Sequence, residues 1–90
     1  DLASVQNLVK KHSLIEADVK AHEDPIKELN STGQQFLDNK LFDTDLTKLT
    51  LDNINSRYDR VKQLVGERRQ RLNEANNLFQ FFRDLDDEEA

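Results

Sequence analysis

The sequence predicts an all-α chain, a left-handed antiparallel helical bundle or coiled coil. Three observations predict it. Apolar residues recur along two long stretches at steps that alternate between three and four, an average period of 3.5. Only two glycines and one proline interrupt 90 residues, which leaves few places for turns. A charged fraction of 34% against an apolar fraction of 36% makes the core a narrow seam with wet faces.

The first stretch reads Val5, Leu8, His12, Ile15, Val19, His22, Ile26, Leu29, Gly33 and Phe36, and predicts a helix over residues 2–38. Glu16 with Lys20 and Glu23 with Lys27 are acid-first pairs at i,i+4, each worth about 0.2–0.5 kcal/mol. Pro25 is the conflict. Inside a helix it lacks the donor for the carbonyl of Ala21 and clashes with it, at a cost near 3 kcal/mol. The favoured reading is a kinked helix, because the 3,4 register continues through His22, Ile26 and Leu29. The other is a break, with Asp24 as N-cap and Pro25 in the first turn. Gly33 on the seam admits a close neighbour, or else caps the helix early.

Residues 39–45 form the expected loop, with Leu41 and Phe42 plugging the end of the bundle. Asp43, Thr44 and Asp45 offer N-cap side chains for a second helix that begins about Thr44 to Leu46 and spans 46–77. Its seam reads Leu51, Ile54, Tyr58, Val61, Val65, Arg68, Leu72, Ala75, Phe79 and Phe82. Glu67 and Arg71 make another i,i+4 pair, and Gly66 is an outward-facing weak spot costing about 1 kcal/mol relative to Ala. No stop signal separates Ala75 from Phe79, so residues 78–90 continue the helix into an acidic tail from Asp84 to Glu89.

The composition excludes several functions. A net charge of −5 lacks the basic face that nucleic acid requires. The absence of cysteine removes disulfides and thiolate chemistry, and fits a reducing, intracellular compartment. No apolar run is long enough for a leader or for direct membrane insertion. His12 and His22 lie ten residues, about 15 Å, apart along a helix, too far for a shared metal. The acidic tail has no glycine turn at the sixth position of a calcium loop. The serines have no base and acid arranged around them, and no glycine-rich phosphate loop occurs. Arg68, Arg69 and Arg71 read as intrahelical partners rather than an anion site, with the Arg68 stem along the core. The cluster Phe79, Phe81 and Phe82 reads as core, with a docking face as its alternative. No catalytic, cofactor-binding or metal residue is expected, and no cofactor.

Particular runs carry a resemblance. Asp1-Leu2-Ala3-Ser4-Val5-Gln6-Asn7-Leu8-Val9-Lys10-Lys11-His12 resembles the start of the second helix of a spectrin repeat, as do Glu16-Ala17-Asp18 and Ala21-His22-Glu23. Arg68-Arg69-Gln70-Arg71-Leu72 is similar to the end of the third helix of that repeat, and Phe79-Gln80-Phe81-Phe82-Arg83-Asp84 to the first helix of the next. Phe42-Asp43-Thr44 and Asp84-Leu85-Asp86-Asp87-Glu88-Glu89 are most similar to the alpha-spectrins. Two tryptophans of the family are missing. Tyr58 stands at one position, and the chain stops at Ala90 just before the other.

The resemblance implies that 1–77 are the second and third helices of one repeat (helix 2–38, loop 39–45, helix 46–77), lacking most of the first helix. It further implies that 78–90 open the following repeat. It implies a cytoskeletal spacer in an actin-crosslinking network at the cell cortex beneath the plasma membrane. Beta-spectrin and actin filaments would be its partners, with actin binding and capping among the roles of such rods. A protein-docking module, binding through an exposed helix face, is the alternative. Two full helices leave a groove open, which predicts a homodimer. Either the phenylalanine segments exchange between copies, or the connection at 39–45 opens so that helices pair between chains.

Overall fold

The computed structural model describes residues 1–41 and 43–89, the side chain of Glu89 excepted. Its elements are α1 (Leu2–Ala21), α2 (Glu23–Asn39) and α3 (Thr44–Glu89). The fold is all-helical, with α1 and α2 joined by a bend and α3 packed along them. Phe42, expected to plug the connection, lies outside the described residues.

Each helix end has a local cause. Asp1 caps α1, its Oδ1 accepting the Ser4 amide at 2.8 Å. Asp43 caps α3, accepting the Leu46 amide at 3.0 Å through its side chain and the Thr47 amide through its carbonyl. α2 stops at Lys40, whose φ of 53° and ψ of 38° are left-handed. The Lys40 amide donates to Leu37 and the Leu41 amide to Phe36, which together satisfy the last carbonyls in a Schellman closure. Gly33 is not a cap: it lies inside α2, and no glycine has a positive φ.

The bend expected from Pro25 falls at His22, three residues earlier, so the run 2–38 is two helices joined there. The offset follows from the proline. Pro25 withholds the amide that would bond Ala21 and crowds that carbonyl, so the helix yields in the turn before the ring. His22 itself keeps helical angles, φ −82° and ψ −9°, so the joint is a bend rather than a loop. α3 runs through Leu78 without interruption and begins at Thr44.

By their contacts the described residues fall into two compact units. Unit 1 combines Asp1–Ala17 with Leu64–Ala90, and unit 2 is Asp18–Gln63. Within unit 1, His12 meets Val65, and Leu2 shares a groove with Phe79 and Phe82, so α1 and α3 are antiparallel there. Within unit 2, Val19 meets Tyr58 and Gly33 meets Leu51, again antiparallel.

Candidate functional site

No group of three or more metal-ligating side chains converges among the described residues. The functional feature is the seam that α3 shares with α1 and α2. The expected seam residues divide by burial. In unit 1, Val5 and His12 are buried, Val65, Leu72 and Phe79 are half-buried, and Leu8, Ile15 and Phe82 are exposed. In unit 2, Val19, Ile26, Phe36, Leu51, Ile54 and Tyr58 are half-buried, while His22, Leu29 and Val61 are exposed. Arg68, expected to lay its stem along the seam, is exposed, and Arg69 beside it is half-buried.

The seam of unit 1 carries polar inlays. His12 has no exposed surface, and its Nε2 donates to the Val65 carbonyl at 2.9 Å. Its Nδ1 has no hydrogen-bond partner among the described residues. One turn along, Glu16 receives Arg69 from α3. The arginine Nε lies 3.1 Å from both carboxylate oxygens, and its Nη2 bonds Glu16 and, at 2.8 Å, the hydroxyl of Ser13. This hydrogen bonding holds the Glu16 carboxyl below its ordinary range against the opposing effect of burial, with the charges of Arg69 and His12 adding to it. The same carboxylate pushes the Arg69 guanidinium up. At the far end, Leu2, Ala3 and Gln6 face Phe79 and Phe82 across an open apolar groove.

Unit 2 uses different chemistry. Asn30 and Asn55 exchange two hydrogen bonds across the seam, Nδ2 to Oδ1 at 2.9 and 2.8 Å. Asn30 spends its second donor hydrogen on the Ile26 carbonyl at 3.0 Å. A half-buried polar pair satisfied this way fixes register, because sliding either helix would strand both amides. Gly33 is buried, and a Cβ there would stand 2.6 Å from Leu51 Cδ1, so the missing side chain is what lets α3 approach. Beside it Leu29, Phe36, Leu46, Leu51 and Ile54 line an apolar groove of about 280 Å³. The inlays at Asn30, Asn55, Glu16 and Arg69 lie one position off the ladders, where a period-based reading assigns no role. Their one signal in the sequence is a polar residue beside each seam position.

These features define a class: helices packed along a seam whose polar groups mostly bond across it to one another, a scaffold rather than a reaction centre. Comparison with known proteins places that class. The spectrin-repeat family matches residues 1–74, and the chain belongs to that family. It is 43% identical over its whole length to the mouse protein "Spectrin alpha chain, erythrocytic 1". It is 37% identical over 97% of its length to the "Spectrin beta chain" of Drosophila melanogaster, and 33% identical over 94% to "Spectrin beta chain, erythrocytic" of mouse. The chain spans about 4% of the length of each of these relatives. As a spectrin repeat it is a structural, non-enzymatic module of the cytoskeletal spectrin family.

Proposed function

We propose that the chain is an elastic spacer in an actin-crosslinking rod at the cell cortex, working with beta-spectrin and actin filaments. In this reading 1–77 supply the second and third helices of one repeat, and 78–90 open the next. The observation that carries it is the continuity of α3. The family match ends at residue 74, while the helix runs on to Glu89 without a break. A helix shared by successive repeats transmits load and couples their unfolding. Among the described residues no helix is long and apolar enough to cross a membrane. The test is single-molecule stretching of the chain within its neighbouring repeats. Asn77→Pro should cut α3 and split coupled unfolding events into separate ones. Unchanged coupling would sink the spacer reading.

A homodimer of the isolated chain is a second reading, favoured by its surface. The accessible area is 7116 Å², where a compact 10.5 kDa monomer has about 5,400 Å². The excess, about 1,700 Å² per chain, is about twice the roughly 800 Å² that each partner contributes to a standard protein interface. Leu78, Phe81 and Phe82, each about half exposed, supply apolar area for it. Light scattering should return twice the chain mass, and Phe79→Asp with Phe82→Asp should reduce it. A stable monomer would exclude the dimer and leave the spacer reading untouched.

A further inference from the structure

The bend at His22 is held by side chains that occupy the carbonyls a straight helix would use. In an uninterrupted helix the His22 amide would bond Asp18, and the Glu23 amide would bond Val19. Here the His22 amide donates instead to Val19, at 3.1 Å. The Asp18 carbonyl is taken by the His22 ring, whose Nδ1 donates to it at 2.7 Å. The Val19 carbonyl takes a second donor from α3, the Tyr58 hydroxyl at 2.9 Å. Pro25 completes the set by having no amide to offer Ala21. Regular bonding resumes with Ile26, whose amide reaches the His22 carbonyl at 3.0 Å. Tyr58 is itself steadied by Lys62, whose ammonium lies 4.8 Å above its ring centre.

We propose that Tyr58, His22 and Pro25 form a latch that holds the α1–α2 bend, with the Tyr58 hydroxyl as its releasable catch. Each member has a separate task. Pro25 removes the backbone bond that would draw the segment straight. The His22 ring satisfies the carbonyl that the bend orphans, taking at this exposed position the place of a water. Tyr58 ties the bent backbone to α3. Releasing the hydroxyl frees Val19 to accept the Glu23 amide, the bond that belongs to a straight helix. The segment therefore has two competing hydrogen-bond patterns, and a single side-chain contact from α3 favours the bent one. The latch lies wholly within unit 2 and holds whether or not the chain bears load, so it stands or falls apart from the spacer reading.

Amide hydrogen exchange on the full chain tests it. Tyr58→Phe keeps the ring and its contact with Lys62 and removes only the hydroxyl. Exchange at residues 19–22 should rise about fivefold, the loss of one ordinary hydrogen bond, while the Glu23 amide, which gains Val19 as an acceptor, should not rise with them. Amides near Asn30 and Asn55, in the same unit, should not change. A tyrosine that merely packs would move every amide of unit 2 together, or none, and either result overturns the latch. Adding Pro25→Ala to Tyr58→Phe removes the catch and restores the missing donor. The amides of residues 22–24 should then exchange more slowly than in the parent chain, as those of a continuous helix do. If the double variant keeps the parent exchange pattern at those residues, the bend is set by packing alone and the proposal fails.

Discussion

The two units bind the same helix, α3, by different means. Unit 1 has the one fully enclosed side chain among the described residues, His12, also buries Val5, and joins its helices by the charged pair Glu16–Arg69. Unit 2 encloses a glycine, and joins its helices by neutral groups, the paired amides of Asn30 and Asn55 and the hydroxyl of Tyr58. The ion pairs found in unit 2, Lys27–Glu23 and Lys62–Asp59, each lie within one helix and at the surface. The difference teaches that one seam period accommodates two kinds of adhesion. One rests on enclosed volume and charge, the other on close backbone approach and matched amides.

The sharpest way to break the comparison is to remove enclosed volume. His12→Ala leaves a cavity in unit 1 and should cost about 2–4 kcal/mol. Ile54→Ala removes a half-buried side chain from unit 2, where solvent already reaches, and should cost about 1–2 kcal/mol. Denaturant midpoints for the two variants decide. Equal losses would mean that the enclosure around His12 carries no special weight.

The two glycines give the next largest contrast. Gly66, in unit 1, has open space where a side chain would go, so Gly66→Ala should add about 1 kcal/mol through helix propensity alone. Gly33→Ala gains the same propensity but sets a methyl against three atoms of the Leu51 side chain, the nearest at 2.6 Å. Overpacking should outweigh propensity there, for a net loss of about 1 kcal/mol. Thermal midpoints moving in opposite directions would support the close approach in unit 2. Stabilisation by both would show that Leu51 moves aside freely.

The ladders that predict the helices were legible because a repeated 3,4 spacing depends on backbone geometry alone. The family resemblance at Asp1–His12 and Arg68–Leu72 was legible for a different reason, the residues themselves. Other features depend on which way a helix is rotated. Ideal helices drift about 20° per heptad against a strict 3.5 period, so a ladder extended over many turns loses its facing. Arg68 and Arg69 exchange roles for that reason. The end of α2, expected at residue 38, falls at Asn39, although a lysine occupies the left-handed position where glycine is the usual signal. The bend at His22 was legible as a consequence of Pro25, but its position was not. In the proposed latch the bend is also tied to the Tyr58 hydroxyl, which the sequence places 39 residues away from its acceptor.

The smallest expected effect concerns charge, and it separates the units by pH. Glu16 is held below the ordinary carboxylate range by the hydrogen bonds from Arg69, so the folded chain binds its proton less readily than the unfolded chain. Where the unfolded state binds more protons, stability rises with pH. The contribution of Glu16 is therefore complete above the ordinary value of 4.5 and is lost as pH falls from there through the lowered folded value. Because a third of the Glu16 side chain is exposed, solvent screens the pair and the loss should be modest. Glu16→Gln keeps the shape and removes the titration. Above pH 6 the variant should be the less stable protein by a constant margin, and below pH 4.5 that margin should shrink. Amide exchange then locates the effect. Acid should raise exchange around residues 9–17 in the parent chain more than in Glu16→Gln, while the amides beside Asn30 and Asn55 respond alike in both. A margin that stays constant down to pH 3 would mean that Arg69 does not discriminate between the charged and neutral carboxyl, and the adhesion of unit 1 would then rest on enclosed volume alone.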